Sequence, residues 1–441
     1  MIFRHHRKRA IHRPRGKNLG VPELIAIALG GMVGGGIFTI LGISVAMIGA
    51  LTPLAIMIGG IFAGLAAYSY IKLGVYYRDE GATYSFFRKT FPRSPFAASL
   101  IGWWVIFGYI STLALYAYTF ASYAISGFAF SDTEWVRKLL AGAVIGVFAL
   151  INIWSVKGMG KVEDAMVYTK LVILVVISFV LINNSQATLP QLMEETGDVG
   201  MLSILIVASL TFVAYEGFQL VINAVGEMES PERNIPRAIY AAIGLAITIY
   251  VVMAVGAILA IPFDEIIANQ EYALASGADN VLGHLGTDLV IVGALLATSS
   301  AISGTVFGAS RQMAVIASDG FFPEVLARRR DKIPVPAILC MAGIAFLLVL
   351  SGSLQLILEF GSVTFLLVSL LIAYANFHIR DRTRASTLVT VLSVLGLAIG
   401  TGLIVYYELV TQPDQLVFIA VIYLLLTAGS WAYSRRRAGD R

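Results

Sequence analysis

The sequence is poor in cysteine and in charged residues. Cys340 is the one cysteine among 441 residues and lies in an apolar run, which excludes an internal disulfide and makes redox chemistry unexpected. Charged residues make up 13% of the chain, whereas hydrophobic residues make up 58%. This composition excludes an ordinary soluble domain and is typical of a membrane protein.

Motifs for catalysis and for metal binding are missing as well. We find no helical spacing of metal ligands, no glycine-rich phosphate loop and no nucleophile–base pair in a suitable context. His284 and His378 stand alone near the ends of apolar segments, where interfacial positions are expected. We therefore expect no metal, no cofactor and no enzymatic activity.

Long apolar runs are what the chain has in abundance. A helix of about 20 residues crosses the ~30 Å hydrocarbon core of a bilayer. Twelve such segments are predicted, numbered span 1 to span 12, at 20–48, 52–77, 97–128, 138–155, 162–182, 202–226, 237–261, 286–316, 335–352, 355–378, 386–407 and 415–434. The predicted fold class is therefore an all-α membrane protein with twelve transmembrane helices.

Basic residues are distributed unevenly between the loops. With the amino terminus placed inside, the predicted cytoplasmic side collects Arg78, Arg88, Lys89, Arg93, Lys157, Lys161, Arg233, Arg237, Arg328, Arg329, Arg330, Lys332, Arg380, Arg382, Arg384, Arg435, Arg436 and Arg437. The opposite side collects only Arg137 and Lys138, and its longer loops, 183–201 and 262–285, contain neither lysine nor arginine. This pattern predicts a multi-pass protein of the cytoplasmic membrane with both termini in the cytoplasm.

The segment 1–18 is a basic tail that contains His5, His6 and His12. A nucleic-acid-binding arm and a histidine metal site are the alternatives. Beside a membrane span, however, a basic segment favours an inside-facing anchor on the lipid bilayer, and we expect no nucleic-acid partner. A cleavable signal peptide is not expected, because the apolar run that follows is too long for a signal core.

Span 1 is rich in glycine at its centre. Gly30, Gly31, Gly34, Gly35 and Gly36 occupy five of the seven positions from 30 to 36, where they weaken a helix. We expect the backbone to open here and to offer N–H groups of one half-helix and C=O groups of the other. A ligand with a carboxylate and an ammonium would satisfy both sets. The alternative is a face of small residues for close helix packing.

Span 6 carries a second interruption, at Ala214, Tyr215, Glu216, Gly217 and Phe218. Spans 1 and 6 are five spans apart and enter the membrane from opposite sides. Two broken helices in corresponding positions of opposed halves predict a transport site at the midplane. The resulting division is a first repeat at 19–182, a second repeat at 202–378, peripheral spans 11 and 12 within 386–434, and a cytoplasmic tail at 435–441.

Lys170 lies about nine residues into span 5, which places it ~12 Å from the inner end of the helix. A lysine at this depth requires a cavity or a partner, because an unpaired ammonium in hydrocarbon costs at least ~2.5–3.5 kcal/mol. Such a group can gain and lose a proton during a transport cycle. Ser299 and Ser300 in span 8 are the proposed partners, unless they are only packing residues. The structural alternative is a fixed ammonium that binds helix-end carbonyls.

Glu216 lies in the break of span 6, where it could accept a substrate amine, carry a proton or pair with Lys170. The structural alternative is a protonated carboxylic acid satisfied by nearby backbone. Glu227 lies at the cytoplasmic mouth of the same span and is expected to be an inner gate or a loop anchor rather than part of the ligand site.

Four motifs in order resemble the amino acid–polyamine–organocation superfamily of permeases over essentially the full length of the chain. They are Gly34-Gly35-Gly36-Ile37-Phe38, then Tyr215-Glu216-Gly217-Phe218, then Glu227 with Pro231, Arg233, Asn234, Ile235, Pro236, Arg237, Ala238 and Ile239, and finally Gly308-Ala309-Ser310-Arg311 with Asp319-Gly320-Phe321-Phe322-Pro323. The resemblance implies a LeuT-type five-plus-five inverted repeat with two extra C-terminal helices, working by alternating access.

The resemblance also implies how ligands are bound. The carboxylate of an amino acid would lie on the N–H groups around Gly34 to Gly36, and its ammonium would meet carbonyls near Gly30 and Gly31 and those of Ala214 and Tyr215. Lys170 resembles the fifth-span lysine of proton-coupled, ApcT-like members, whose ammonium takes the place of a sodium ion. Glu216 is a departure, because many members carry an uncharged residue there, so a cationic or amine substrate becomes plausible.

The predicted function is therefore secondary active, proton-coupled amino-acid uptake, with a small-molecule amino acid and a proton as partners. A proton-independent exchanger of amino acids or polyamines is the alternative within transport. A membrane nutrient sensor is the alternative from another class, disfavoured by the short tails. The oligomeric state stays open.

Overall fold

A computed structural model of the chain describes residues 19–79, 81–131, 133–154, 159–226, 228–330 and 333–439, without the side chains of 159–165, 278–282 and 436–439. The predicted basic tail 1–18 and Glu227 lie outside the described residues, as does the end of the predicted tail 435–441. Helices make up most of what is described, which confirms the predicted all-α class.

The helices follow the predicted spans in order. Span 1 consists of Val21–Met32 and Gly36–Ile48, span 2 is Thr52–Tyr77, span 3 is Pro95–Ile125, span 4 is Glu134–Trp154 and span 5 is Met159–Asn183. Span 6 consists of Met201–Thr211, the 3-10 turn Phe212–Tyr215 and Leu220–Asn223, and span 7 is Pro231–Ala260. Span 8 lies within Ala273–Ser318, span 9 is Val335–Ser351, span 10 is Leu354–His378, span 11 is Thr387–Thr411 and span 12 is Pro413–Gly439.

Short helices connect several spans. They are the 3-10 turn Gly49–Leu51 after span 1, Ala82–Thr90 before span 3, Leu189–Thr196 before span 6, Phe263–Ala268 before span 8, the 3-10 turn Glu324–Ala327 before span 9 and Arg380–Thr383 before span 11. Ala273–Ser318 is not one straight helix, because Gly283 inside it has a φ of +67°. The apolar part of span 8 therefore begins at this glycine.

Ten helical stretches in the described part of the chain are long and apolar enough to cross a membrane. One of them, Gly36–Tyr77, joins the second half of span 1 to span 2, and the others are spans 3 to 8 and 10 to 12. The first half of span 1, Val21–Met32, and span 9, Val335–Ser351, are apolar but shorter. These elements together account for the twelve predicted spans.

Burial separates a core of spans from a periphery. In the apolar window of each helix, 78% of the residues are buried in span 3 and in span 6, and 83% in span 10, against 17% in span 12. Span 11 is intermediate and packs against spans 2, 6 and 10. Spans 3, 6 and 10 therefore form the buried centre of the bundle, and span 12 lies at its periphery. The division into repeats at 19–182 and 202–378 stays a prediction.

Candidate functional site

The break in span 1 is shorter than the glycine-rich stretch. The first half-helix continues through Gly30 and Gly31 to Met32, and the second begins at Gly36, so only Val33, Gly34 and Gly35 are non-helical. Gly31 is helical, and it allows span 6 to approach closely. A Cβ atom at Gly31 would lie 3.1 Å from the Cα atom of Gly217 in span 6. The opening that the sequence predicts at positions 30 to 36 is thus limited to three residues.

The break in span 6 lies directly against that of span 1. After the 3-10 turn Phe212–Tyr215, Glu216 is extended and Gly217 has a φ of +126°, a region that side-chain-bearing residues rarely adopt. A Cβ atom on Gly217 would also lie only 2.5 Å from the carbonyl carbon of Gly31. Conformation and contact therefore both require glycine at position 217.

Gly34, Gly35 and Gly36 are packed against neighbouring spans. A Cβ atom would lie 2.7 Å from Cβ of Ala301 at Gly34, 2.9 Å from Oγ1 of Thr119 at Gly35 and 3.0 Å from Cα of Ala214 at Gly36. These three glycines do not border an open space, and the packing explanation holds for their side-chain positions. Substitution of Gly35 by a large residue would therefore disturb helix packing, whether or not a ligand binds nearby.

The backbone N–H groups at the same break need hydrogen-bond acceptors from outside the helix. Gly35 is the N-cap residue of Gly36–Ile48 and forms no side-chain cap. The first N–H groups of a helix have no intrahelical acceptor, and the positive end of the helix dipole attracts anions. The break thus retains the donor chemistry that a carboxylate needs.

The carbonyl groups at the end of the first half-helix are bound by side chains. Tyr250 donates to the oxygen of Met32 at 2.8 Å and to that of Ala214 at 3.1 Å, so it bridges the two breaks. Tyr116 donates to the oxygen of Gly31 at 3.4 Å. In this conformation, therefore, the carbonyls of Gly31 and Ala214, two of those proposed for a substrate ammonium, already accept protein hydrogen bonds.

Lys170 is fully buried behind the break of span 1, with a relative exposure of 0%. Its Nζ donates to the oxygens of Gly30 at 3.1 Å and Val33 at 2.5 Å, and to Oγ of Ser300 at 2.9 Å. The ammonium thus joins span 5 to the end of the first half-helix and to span 8. Ser299 lies on a neighbouring face of span 8, is half-buried and does not take part in these hydrogen bonds.

A small cavity lies between the two breaks. Its volume of about 10 Å³ is roughly what one water molecule needs, so a larger ligand requires the walls to move. The lining residues are Gly31, Tyr109, Thr112, Tyr116, Glu216, Gly217, Leu220, Thr305, Ala309 and Phe365. Of the predicted binding residues, the structure places Gly31, Glu216 and Gly217 on the cavity wall.

Other predicted binding residues lie away from the wall. Tyr215 is buried towards span 2 and donates to the oxygen of Ile56 at 2.8 Å. The carbonyl oxygen of Ala214 accepts from Tyr250, and that of Gly30 accepts from Lys170. Gly34, Gly35 and Gly36 pack against neighbouring spans at the start of the second half-helix.

The wall residues from span 3 were not anticipated. Tyr109, Thr112 and Tyr116 recur at intervals of three and four, which places them on one face of a helix. Thr119, which packs on Gly35 and hydrogen-bonds Thr39 at 2.8 Å, continues that face. A polar stripe of this kind in an apolar span is the signal that could have identified them.

Glu216 has an incomplete set of hydrogen bonds. Its Oε2 accepts from Nε2 of Gln219 at 2.7 Å, and the same amide donates to the hydroxyl of Tyr109 at 3.1 Å. Its Oε1 is buried and has no hydrogen-bond partner, and no ion pair joins Glu216 to Lys170 within the part of the chain that the structure describes. An unpaired buried carboxylate oxygen is costly, and a cationic group in the cavity would offset that cost.

Charged contacts lie on both sides of this arrangement. On the predicted outer side, the buried guanidinium of Arg137 forms an ion pair with Glu271, which also accepts from the hydroxyl of Tyr118 at 3.2 Å. On the predicted cytoplasmic side, Asp319 is ion-paired with Arg88 and accepts from the hydroxyl of Tyr84 at 2.9 Å. These contacts tie the connecting segments to neighbouring helices on each side of the bundle.

Two interrupted helices that meet at their breaks, with a small cavity between them and polar contacts across both faces, define a secondary transporter. The chain belongs to the amino acid permease family, whose model matches residues 19–432. This match confirms the predicted superfamily and the predicted class, a transporter rather than an enzyme. The protein is a multi-pass membrane transporter, whereas the orientation of its termini stays a prediction.

Related proteins support the same class. The inner membrane transport protein YbaT of Escherichia coli is 28% identical over 86% of this chain and 89% of its own. An uncharacterized protein of Methanocaldococcus jannaschii is 27% identical over 92% of this chain and 93% of its own. The chloroplastic cationic amino acid transporter 7 of Arabidopsis thaliana is 26% identical over 80% of this chain and 64% of its own.

The fold is shared with a solved transporter structure. A mutant manganese transporter of Eremococcus coleocola superimposes with a TM-score of 0.63 over 95% of this chain and 94% of that chain. At 12% sequence identity the likeness concerns the fold alone. It confirms the predicted LeuT-type architecture and says nothing about the substrate.

Proposed function

We propose that the protein is a proton-coupled amino-acid permease that works by alternating access. The observation that carries this proposal is the position of Lys170, whose buried ammonium donates to Gly30 and Val33 at the break of span 1. A cation surrounded by carbonyl and hydroxyl oxygens does what a bound metal cation would do there. A lysine can give up that charge by losing a proton, which supports coupling to protons.

The contacts of Lys170 indicate how a proton would act on the helices. With the proton bound, the ammonium stabilises the negative end of the half-helix Val21–Met32. Loss of the proton removes the charge and weakens the hydrogen bonds to both carbonyl oxygens. The first half of span 1 is then released from span 5, and we propose that this release opens the cavity towards the cytoplasm.

The substrate is proposed to bind between the two breaks. Its carboxylate is placed on the N–H groups at the start of Gly36–Ile48, where no side chain caps the helix. Its positive group is placed near the unpartnered Oε1 of Glu216 on the cavity wall. This arrangement favours a cationic amino acid, and the relative named as a cationic amino acid transporter is in keeping with that choice.

Uptake by purified protein in proteoliposomes tests the proposal. Radiolabelled arginine, lysine and alanine are offered with an inward proton gradient, without a gradient, and with sodium replaced by potassium. The expected result is accumulation above equilibrium only with the proton gradient, whatever the alkali cation. Equal exchange of internal for external amino acid, unaffected by the gradient, would contradict proton coupling and identify an exchanger.

A further inference from the structure

Spans 10 and 11 bury two carboxyl groups against each other, away from the cavity. Glu359 and Glu408 both have a relative exposure of 0%. Glu359 is the sixth residue of Leu354–His378, and Glu408 is the fourth residue from the end of Thr387–Thr411. Both therefore lie about 5–8 Å from the helix ends that are remote from the connection at 380–384, on the predicted outer side.

The hydrogen bonds of this pair are incomplete if both groups are ionised. Oε1 of Glu359 accepts from Nε2 of Gln355 at 2.7 Å. Oε2 of Glu359 and both carboxyl oxygens of Glu408 are buried without a donor. The two side chains are close enough to hydrogen-bond each other, but two carboxylates can only accept. One proton turns one of the groups into a donor and supplies a hydrogen bond between the two carboxyl groups.

Among the residues that the structure describes, no basic side chain forms an ion pair with either carboxyl group. Span 3, span 9, the second half of span 1 and Met201–Thr211 pack against these two spans and contain no charged residue. The hydroxyl of Tyr407 is the titratable group beside both carboxyls, and that of Tyr423 on span 12 donates to Thr364.

Charged residues of the remaining neighbours lie elsewhere. Lys72 of span 2 donates to the oxygen of Arg384 in the connection at the other end, and Arg88 of Ala82–Thr90 is ion-paired with Asp319. Lys89 is ion-paired with Asp79, and Asp414 of span 12 is exposed. Arg380, Asp381 and Arg382 lie in the connection at the other end of span 10, and the basic residues of span 12 begin at Arg435, close to its far end.

A metal ion is an unsuitable occupant of the pair. In the described part of the chain, no group of three or more His, Cys, Asp or Glu side chains is placed to hold a metal ion. Two adjacent carboxylates with one amide beside them suit the smallest cation, the proton.

We infer that Glu359 and Glu408 form a proton-binding site at the contact between spans 10 and 11, separate from Lys170. The bound proton links the two spans by a carboxyl–carboxylate hydrogen bond. Its loss leaves two like charges in a buried position, which repel each other and drive span 11 away from span 10. Phe365 of the cavity wall is six residues along the same helix, about 9 Å from Glu359, so span 10 connects this site to the cavity.

Infrared spectroscopy tests the site directly, and the result does not depend on transport. The carbonyl-stretch band of protonated carboxylic acids is measured in purified protein as a function of pH. A Glu216→Gln background is used throughout, so that the carboxyl group of the cavity does not contribute. We expect a band at neutral pH that is lost on alkalinisation and is missing from the variant that also carries Glu359→Gln and Glu408→Gln.

Two controls complete the test. Glu195→Gln removes an exposed carboxyl group and is expected to leave the band unchanged. Replacement of potassium by sodium at constant ionic strength is expected to leave the titration unchanged. A band that survives in the double variant, or a titration that shifts with the alkali cation, would overturn the proton-binding site.

If the glutamine variants do not fold, a conservative variant can test whether the two carboxyl groups share a proton. Glu408→Asp retains a carboxyl group and withdraws it from Glu359 by one methylene. The expected result is a band of similar intensity at a shifted frequency, because the hydrogen bond between the two groups is changed. An unshifted band would show that the two groups do not share a proton.

Discussion

The two broken helices differ in what completes their hydrogen bonds. At the end of the first half of span 1, the carbonyls of Gly30, Gly31 and Met32 accept from Lys170, Tyr116 and Tyr250. In the break of span 6, one carboxylate oxygen of Glu216 is buried without a donor. At the first break, side chains of the protein bind the carbonyl oxygens of the half-helix. At the second break, one acceptor oxygen at the cavity has no hydrogen-bond donor. We infer that the first half of span 1 carries the coupling and that span 6 carries the recognition of the substrate's positive group.

Removal of the Lys170 ammonium is expected to have the largest effect, which is the loss of proton-driven accumulation. In Lys170→Ala, the carbonyls of Gly30 and Val33 lose a charged donor, so proton-driven accumulation should fall to the level of empty liposomes. Uptake against a proton gradient measures this, after size-exclusion chromatography has shown a monodisperse protein. Lys89→Ala, which alters a lysine at a surface ion pair, is the matched control and should accumulate like the wild type. Accumulation with an intact pH dependence in Lys170→Ala would show that another group couples the proton.

The contact between the two breaks is the next most sensitive feature. Gly217→Ala introduces a Cβ atom at a φ of +126° and 2.5 Å from the carbonyl carbon of Gly31. Strain and overpacking together should lower the free energy of unfolding by about 2–5 kcal/mol. Thermal unfolding in detergent measures the loss. Gly64→Ala in span 2 is the control, since a Cβ atom there has no neighbour within 4 Å. Equal stability of the two variants would mean that the breaks do not need this close approach.

Neutralisation of Glu216 should change which amino acids bind, but it should not change the coupling of uptake to protons. Glu216→Gln removes the charge on the cavity wall, so arginine and lysine are expected to bind about 10–100-fold more weakly. Alanine should bind nearly as before, and its uptake should remain driven by protons. Competition binding to the purified variant measures both affinities. A uniform loss for all amino acids would assign Glu216 a structural or proton-carrying role instead.

The smallest effect is expected from the hydroxyl groups beside the lysine. Ser300→Ala removes one of the oxygens bound by Lys170, and we expect the rate of proton-driven uptake to change by up to about 10-fold. Ser299→Ala is the matched control on the adjacent face and should have no effect. Initial uptake rates across a pH series separate the two. If both variants behave alike, the hydrogen bond from Lys170 to Ser300 has no part in coupling.

Much of the architecture was accessible from the sequence because the bilayer imposes strong constraints. Apolar runs of sufficient length located the spans, and a lysine at the depth of Lys170 required a partner. The extent of the first break was less accessible, because glycine serves both an opened backbone and close packing. Gly31 and Gly35 are packing positions here, which only the neighbouring helices reveal.

Other features depended on partners that lie far apart in the chain. Glu359 and Glu408 each look like a single acidic residue near a span end in the sequence. Their pairing appears only when spans 10 and 11 are packed together. Tyr109 and Tyr116 are ordinary aromatic residues of an apolar helix until Gln219 and Gly31 are placed beside them.

The division between a coupling break and a recognition break is tested most directly by one paired measurement. Binding and proton-driven uptake of arginine and alanine are determined side by side for Lys170→Ala and Glu216→Gln in the same proteoliposome preparation. The account predicts that Lys170→Ala binds amino acids but does not accumulate them. Glu216→Gln, by contrast, should accumulate alanine with normal pH dependence and bind and accumulate arginine much more weakly than the wild type. The reverse outcome, lost selectivity in Lys170→Ala and lost coupling in Glu216→Gln, would contradict it.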